Sequence, residues 1–311
     1  MKLNKYILAT LIGTTTLISC NDFLEVDSPS QFDTNYVFNT ESDALKVLLG
    51  AYVEFNQDPF SSRMANVWAQ NTDVECIAPG DKPDGSRRDV WSLQGGLLEN
   101  FGDIKKAWDS NYLAIDRANQ VIEGLTGKTS TGMKALLAEA HCLRAHRYWM
   151  LCNMWGDVPA RLTSLNADNM YSGREDRDVI YKQLIIDLQE AQDLCAWPNE
   201  IDATKTVERV NKVFVKGLLA RVCLQASGYA QRLDGENRLS TDPELSKARL
   251  YPIALQACKD VMEQEGTYVA LKSNFEDIFN NNGISGDVIN AGSESLFEIG
   301  YSNNPARGRI M

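Results

Sequence analysis

The sequence predicts a mostly α-helical fold, in which helical hairpins are joined by long irregular loops and accompanied by a few short strands. Three observations lead there. Six segments repeat apolar residues at three- and four-residue spacing, the period of a helix face. Their ends carry residues that cap helices, and the stretches between them collect Pro, Gly, Asp and Asn. Composition agrees with a packed domain, since 44% of the 311 residues are hydrophobic.

The chain opens with Lys2 and Lys5 ahead of an apolar run from Tyr6 to Ile18, a secretory signal layout spanning residues 1–19. This run is shorter than the roughly 20 apolar residues a membrane-spanning helix needs. It closes on Ser19-Cys20, a small residue before a cysteine, which resembles a bacterial lipoprotein cleavage site. Lipid attachment at Cys20 is therefore expected, with acyl chains holding the mature protein to a membrane. Residues 20–39 are polar and contain Pro29, which predicts an irregular tether.

From residue 40 the helices begin. Thr40 and Asp43 have capping-box spacing, and Ala44, Leu45, Leu48, Ala51, Tyr52 and Phe55 form a stripe that ends at Asp58-Pro59. Residues 60–100 hold the Pro79-to-Gly85 loop and predict irregular, outward-facing chain. Five more helices follow, over residues 103–125, 133–155, 175–194, 207–226 and 246–265. The second of these should stop at Gly156, with Pro159 just beyond. In the fourth, Gly217 and Ala220 predict close approach of a neighbouring helix. Pairing consecutive helices gives antiparallel hairpins of tetratricopeptide character, with a period too irregular to count. A polar insert occupies residues 227–245, and Glu294 to Ile299 alternates as a strand would.

Charge narrows the partners. A formal net charge of −11 and a pI near 4.8 exclude a predominantly basic surface, so neither nucleic acid nor anionic lipid is the expected ligand. None of Cys76, Cys142, Cys152, Cys195, Cys223 and Cys258 forms a C-x-x-C pair, which leaves no zinc knuckle or thioredoxin-like motif. Buried free thiols are expected for most of them, although an exported chain permits pairing. Two histidines five residues apart, His141 and His146, diverge around a helix and cannot chelate one metal together; both are expected as hydrogen-bonded structural groups. Arg144 and Arg221 should form internal ion pairs with Glu139, Asp157 or Asp187. No cofactor or metal is expected, and a structural calcium stays open because no oxygen-rich loop matches a known spacing.

Several segments together resemble the SusD/RagB family of outer-membrane lipoproteins. They are Ser19 through Glu25, Trp108 through Tyr112, Arg117 through Ile122, Glu139-Ala140 with Leu143-Arg144-Ala145, and Trp155 through Pro159. Tyr181, Asp187-Leu188, Leu218 through Val222 and Glu294 through Ile299 continue the match in family order. The resemblance implies a tetratricopeptide-like scaffold over residues 40–311 whose loops bind oligosaccharides. It also implies a lid-like role over a SusC-like TonB-dependent transporter, facing the cell exterior. Members usually continue well past the segment ending at Ile299, so a truncated C-terminus is expected.

A glycan site needs an aromatic surface for the apolar face of a sugar, ringed by hydrogen-bonding groups. Trp91, flanked by Arg87 and Arg88, is the leading platform candidate, with Asp84, Asn100, Trp68 and Asp73 as further ligand-binding candidates; a site in this region also resembles the family's. Packing of Trp91 beneath its loop is an equal alternative. Trp108, Trp149 and Trp155 lie on predicted helices and are expected in the core. Two other functions stand beside glycan capture: a helical-repeat module binding a protein, and a surface glycosidase using Asp73 or Glu75 as its carboxylate pair.

Overall fold

The computed structural model describes residues 34–57, 102–278, 291–292 and 294–300. The chain divides into two units, residues 1–37 and 38–311. In the first, the described part is a single helical turn, α1 (Thr34–Val37). An irregular tether was expected there, but residues 30–39 contain neither Pro nor Gly to prevent the turn.

The second unit is a row of helices. In order they are α2 (Glu41–Val53), α3 (Gly102–Leu125), α4 (Thr131–Trp155), α5 (Arg177–Leu194), α6 (Lys212–Ala226) and α7 (Lys247–Met262). Each packs on the next from α3 to α7, and α2 lies against both α3 and α4. Only one short hairpin, β1 (Ala230–Gln231) with β2 (Asn237–Arg238), is sheet among the described residues; it falls inside the polar insert. The mostly helical expectation holds.

Caps set the helix starts. Thr40 Oγ1 accepts from the Asp43 amide at 3.1 Å, Ser130 Oγ from Met133, Asp176 from Asp178, and Ser246 Oγ from Arg249. Asn211 corrects one predicted boundary. Its side chain accepts from the amides of both Val213 and Phe214 at 3.1 Å, so α6 begins at Lys212 and not at residue 207. Val207 and Val210 are still buried, in the turn and irregular chain ahead of the helix. The stop at Gly156 is as expected: its φ of +74° is open to glycine at little cost, and its amide donates to the Cys152 carbonyl.

The core is built from the predicted stripes. Ala44, Leu48 and Ala51 of α2, Ala107, Ala114, Ile115 and Ala118 of α3, and Leu136, Leu143, Tyr148 and Leu151 of α4 are all buried where these helices pack. Phe38 is buried where Gly124 leaves room, since a Cβ there would stand 2.1 Å from its ring. Cys142, Cys152, Cys195 and Cys223 are buried free thiols, and Cys258 is a free thiol at the surface.

Buried polar groups tie the row together. Glu139 receives both Arg209 Nε (2.7 Å) and Nη2 (2.6 Å) together with the Tyr52 hydroxyl, joining α2, α4 and the segment before α6. Arg147 is fully buried with its guanidinium 3.6 Å from the Phe55 ring centre. Burial pushes that guanidinium down to about 9, against the pull of Glu54.

Two predictions for the C-terminal part need correction. Residues 294–299 join no ladder among the described residues. Single bonds hold them, Asn211 Nδ2 donating to the Leu296 carbonyl (2.8 Å) and the Glu298 amide to the Val207 carbonyl (2.9 Å). Leu296 and Phe297 are consecutive, yet both line the cleft between α4 and α6, so the alternation in sequence does not become a two-faced strand. Gly217, expected to admit a helix, instead faces Leu296, with a built Cβ 3.5 Å from Leu296 Cδ1.

Candidate functional site

The candidate ligand residues Trp68, Asp73, Asp84, Arg87, Arg88, Trp91 and Asn100, the alternative acid Glu75, and Cys20, the residue expected to carry lipid, lie outside the described residues. What the described residues do show is two concave sites on the helical row.

The larger, a groove of about 390 Å³, runs between α3 and the loop after α4. Trp108, Asp109, Tyr112, Leu113, Asp116 and Asn119 supply one wall; Arg161, Thr163 and Leu165 supply the other. Residues 108, 112, 116 and 119 follow one another at helical spacing and so share a face of α3.

Side chains fix the second wall in place. Asn119 Nδ2 donates to the carbonyls of Arg161 (3.0 Å) and Thr163 (2.8 Å), and Tyr112 Oη donates to the Pro159 carbonyl at 2.8 Å. The Leu165 amide donates to Asp116 Oδ1 at 2.7 Å, and the Ser164 amide to Glu123 at 2.7 Å. Beneath them Arg144 Nη1 donates to Asn119 Oδ1 (2.9 Å) and to the Leu162 carbonyl (3.0 Å). Arg144 is itself held by Asp187, through Nε at 2.8 Å and Nη2 at 2.6 Å. His141 Nδ1 and Gln183 Nε2 complete the shell around this fully buried carboxylate. Burial alone would raise the Asp187 pKa, but hydrogen bonds from His141 and Arg144 outweigh it and hold the carboxyl below the usual range. The expected internal pairing of Arg144 is thus observed, and the loop wall is its beneficiary.

Inside the groove Trp108 is half-buried. Its ring meets Trp155 edge-on at 5.2 Å and Tyr112 at 5.0 Å. Arg161 places its guanidinium 5.1 Å from the Tyr112 ring centre and donates from Nη2 to the Met170 carbonyl, while its buried Nε has no hydrogen-bond partner. Asp109 pairs with Lys105, and Asp116 is engaged by Gln120 and the Leu165 amide. Carboxylates committed in this way serve recognition better than proton transfer. The expectation that Trp108, Trp149 and Trp155 are core residues is corrected, because all three are only partly covered. Sequence periodicity gave a signal here: Asp116 and Asn119 recur at helical spacing with Trp108 and Tyr112, which marks the face of α3 that holds the loop.

The second cleft, about 330 Å³, lies between α4 and α6 and is lined by His146, Trp149, Phe214, Gly217, Arg221 and the 296–297 segment, among others. Arg221, expected in an internal ion pair, is exposed at its mouth with the guanidinium 5.6 Å from the Trp149 ring centre. His146 departs from expectation too. Its ring sits among Phe55, Trp149 and Phe214 at centroid distances of 5.5 to 5.9 Å, and Nδ1 is buried without a partner. Burial lowers its pKa to about 3. Among the described residues no cluster of His, Cys, Asp or Glu could hold a metal ion.

Comparison with known proteins decides the family. A family model described as SusD-like, starch-binding and associating with the outer membrane matches residues 22–224. The chain belongs to the SusD-like family. A SusD-like protein of Bacteroides ovatus is 26% identical over 293 residues, covering 88% of this chain and 47% of that protein. Among solved structures, a laminarin-binding SusD-like protein superposes with a TM-score of 0.58 at 18% identity, over 80% of this chain and 50% of that one. A structure containing a xylogluco-oligosaccharide superposes with a TM-score of 0.55 at 22% identity, over 79% and 45%. This SusD-like chain spans about half or less of the length of the curated relatives it matches.

Proposed function

We propose that this SusD-like chain captures oligosaccharides at the outer surface of a bacterial outer membrane and passes them to a SusC-like TonB-dependent transporter. The family match over residues 22–224 carries the reading, because its description joins starch binding to the outer membrane. Two fold relatives add support, one that binds laminarin and one solved with a xylogluco-oligosaccharide. The acidic chain, at −11, suits a neutral ligand. In this reading Cys20 carries the lipid anchor, and Trp91, with Arg87, Arg88, Asp84, Asn100, Trp68 and Asp73, forms the loop-borne contact surface. No reaction is involved. Capture is weak by design, since each hydrogen bond exchanged with water contributes only about 1 kcal/mol.

Native affinity electrophoresis through gels cast with starch, laminarin or xyloglucan tests the binding step. The chain should be retarded by at least one glycan, and Trp91→Ala should weaken that retardation about tenfold. Unretarded migration in every gel would remove the capture role.

A further inference from the structure

The groove between α3 and the loop after α4 is a second place where this chain can meet its ligand. We propose that it is a subsite for one neutral sugar ring, built on the helical scaffold from side chains other than the loop candidates around Trp91. The proposal rests on the capture reading and adds a location and a chemical class to it.

Size and shape come first. At about 390 Å³ the groove falls within the range of roughly 300–1,000 Å³ typical of small-molecule sites. Its lining combines the two things a pyranose requires. Trp108, half-buried, offers aromatic surface to the face of the ring that carries axial C–H bonds, with the buried Tyr112 ring packed behind it. Polar groups stand beside it: Arg161 and Thr163 line the opposite wall, and the Asp109 carboxylate lies at the partly exposed rim. Leu113 and Leu165, 45% and 50% exposed, extend apolar surface at the entrance.

Rigidity is the second argument. Both walls are fixed by the bonds from Asn119, Asp116, Tyr112 and Arg144 described above, so little ordering remains to oppose binding.

Charge sets the ligand class. Two carboxylates, Asp109 and Asp116, and one guanidinium, Arg161, line the groove, and Lys105 beside it pairs with Asp109, so that these four balance and the next group decides the sign. Glu123 stands one further step along α3, bonded to Ser164. A uronic acid or sulfated sugar would enter against this field, whereas a neutral hexose or pentose would not.

Isothermal titration and saturation-transfer NMR on the full chain, with starch, laminarin and xyloglucan oligosaccharides as neutral probes and oligogalacturonate as the anionic one, separate the two sites. Trp108→Ala removes the aromatic wall; Leu113→Arg fills the groove from an exposed position and spares the core. Either change should weaken neutral-glycan binding about tenfold. In a Trp91→Ala background weak neutral binding should persist, and adding Leu113→Arg should abolish it. Binding that vanishes with Trp91→Ala alone and ignores Leu113→Arg overturns the groove and leaves the capture reading intact. Binding lost through the groove variants but not through Trp91→Ala supports the groove and refutes the loop site. If no neutral probe binds the unaltered chain, both fall. Oligogalacturonate binding as tightly as the neutral probes overturns the assigned ligand class.

Discussion

Asp187→Ala should lower the unfolding free energy by about 3–5 kcal/mol, the usual result of removing one partner from a buried ion pair. The carboxylate is fully buried and meets Arg144 through two bonds, with His141 and Gln183 closing the shell. Without it the guanidinium, itself buried, keeps its charge and loses its counterion. The effect should travel outward, since Arg144 also carries Asn119 and the Leu162 carbonyl. Urea denaturation measures the loss, and amide exchange at residues 161–165 should quicken beyond what global destabilisation explains. Replacing both partners, Asp187→Leu with Arg144→Met, should cost markedly less, because no uncompensated charge remains. A single-variant loss below about 1 kcal/mol would mean that the pair is not the structural link described.

The second large effect concerns acid. In an unfolded chain the imidazole of His146 titrates near its ordinary 6.5, whereas in the fold burial among Phe55, Trp149 and Phe214 holds it neutral down to about 3. Between those values the unfolded chain binds the extra proton. The contribution is therefore complete above about pH 6.5 and is lost as pH falls toward 3, by up to about 1.4 kcal/mol per pH unit. Arg147 and Arg221 push in the same direction by opposing a second positive charge nearby. Asp187, whose carboxyl is held low, adds its own loss only below about its ordinary 3.8. Melting temperature against pH should fall between 6.5 and 4 for the natural chain and flatten in this interval for His146→Phe. An unchanged slope would mean that another group titrates there.

Most of the scaffold was legible because its signals are local. Thr40 and Gly156 mark their helix ends by chemistry that acts within a few residues, and the stripes of α2 to α5 repeat at the helical period. Harder cases depended on contacts distant in sequence. Val207 and Val210 read as a helix start because their burial, not their conformation, produces the apolar spacing, and Asn211 settles the matter through its cap. Glu294 to Ile299 alternates without a partner strand, and its role emerges only where Leu296 and Phe297 reach the cleft against Phe214. Trp108 and Arg221 were assigned inward because helical tryptophan and mid-helix arginine usually serve the fold. Whether a side chain faces a neighbour or a groove is decided by the next element, here the loop at 159–165 and the opening between α4 and α6.

Cell-surface retention of a labelled neutral oligosaccharide tests the central claim most directly. In bacteria carrying this chain in its natural membrane context, fluorescent glycan should remain with intact cells. Cys20→Ala, which removes the proposed attachment thiol, should release both protein and label from the cells. Label retained equally by cells lacking the chain, or by cells whose Cys20→Ala product is found in the medium, would contradict surface capture by a lipid-anchored SusD-like protein.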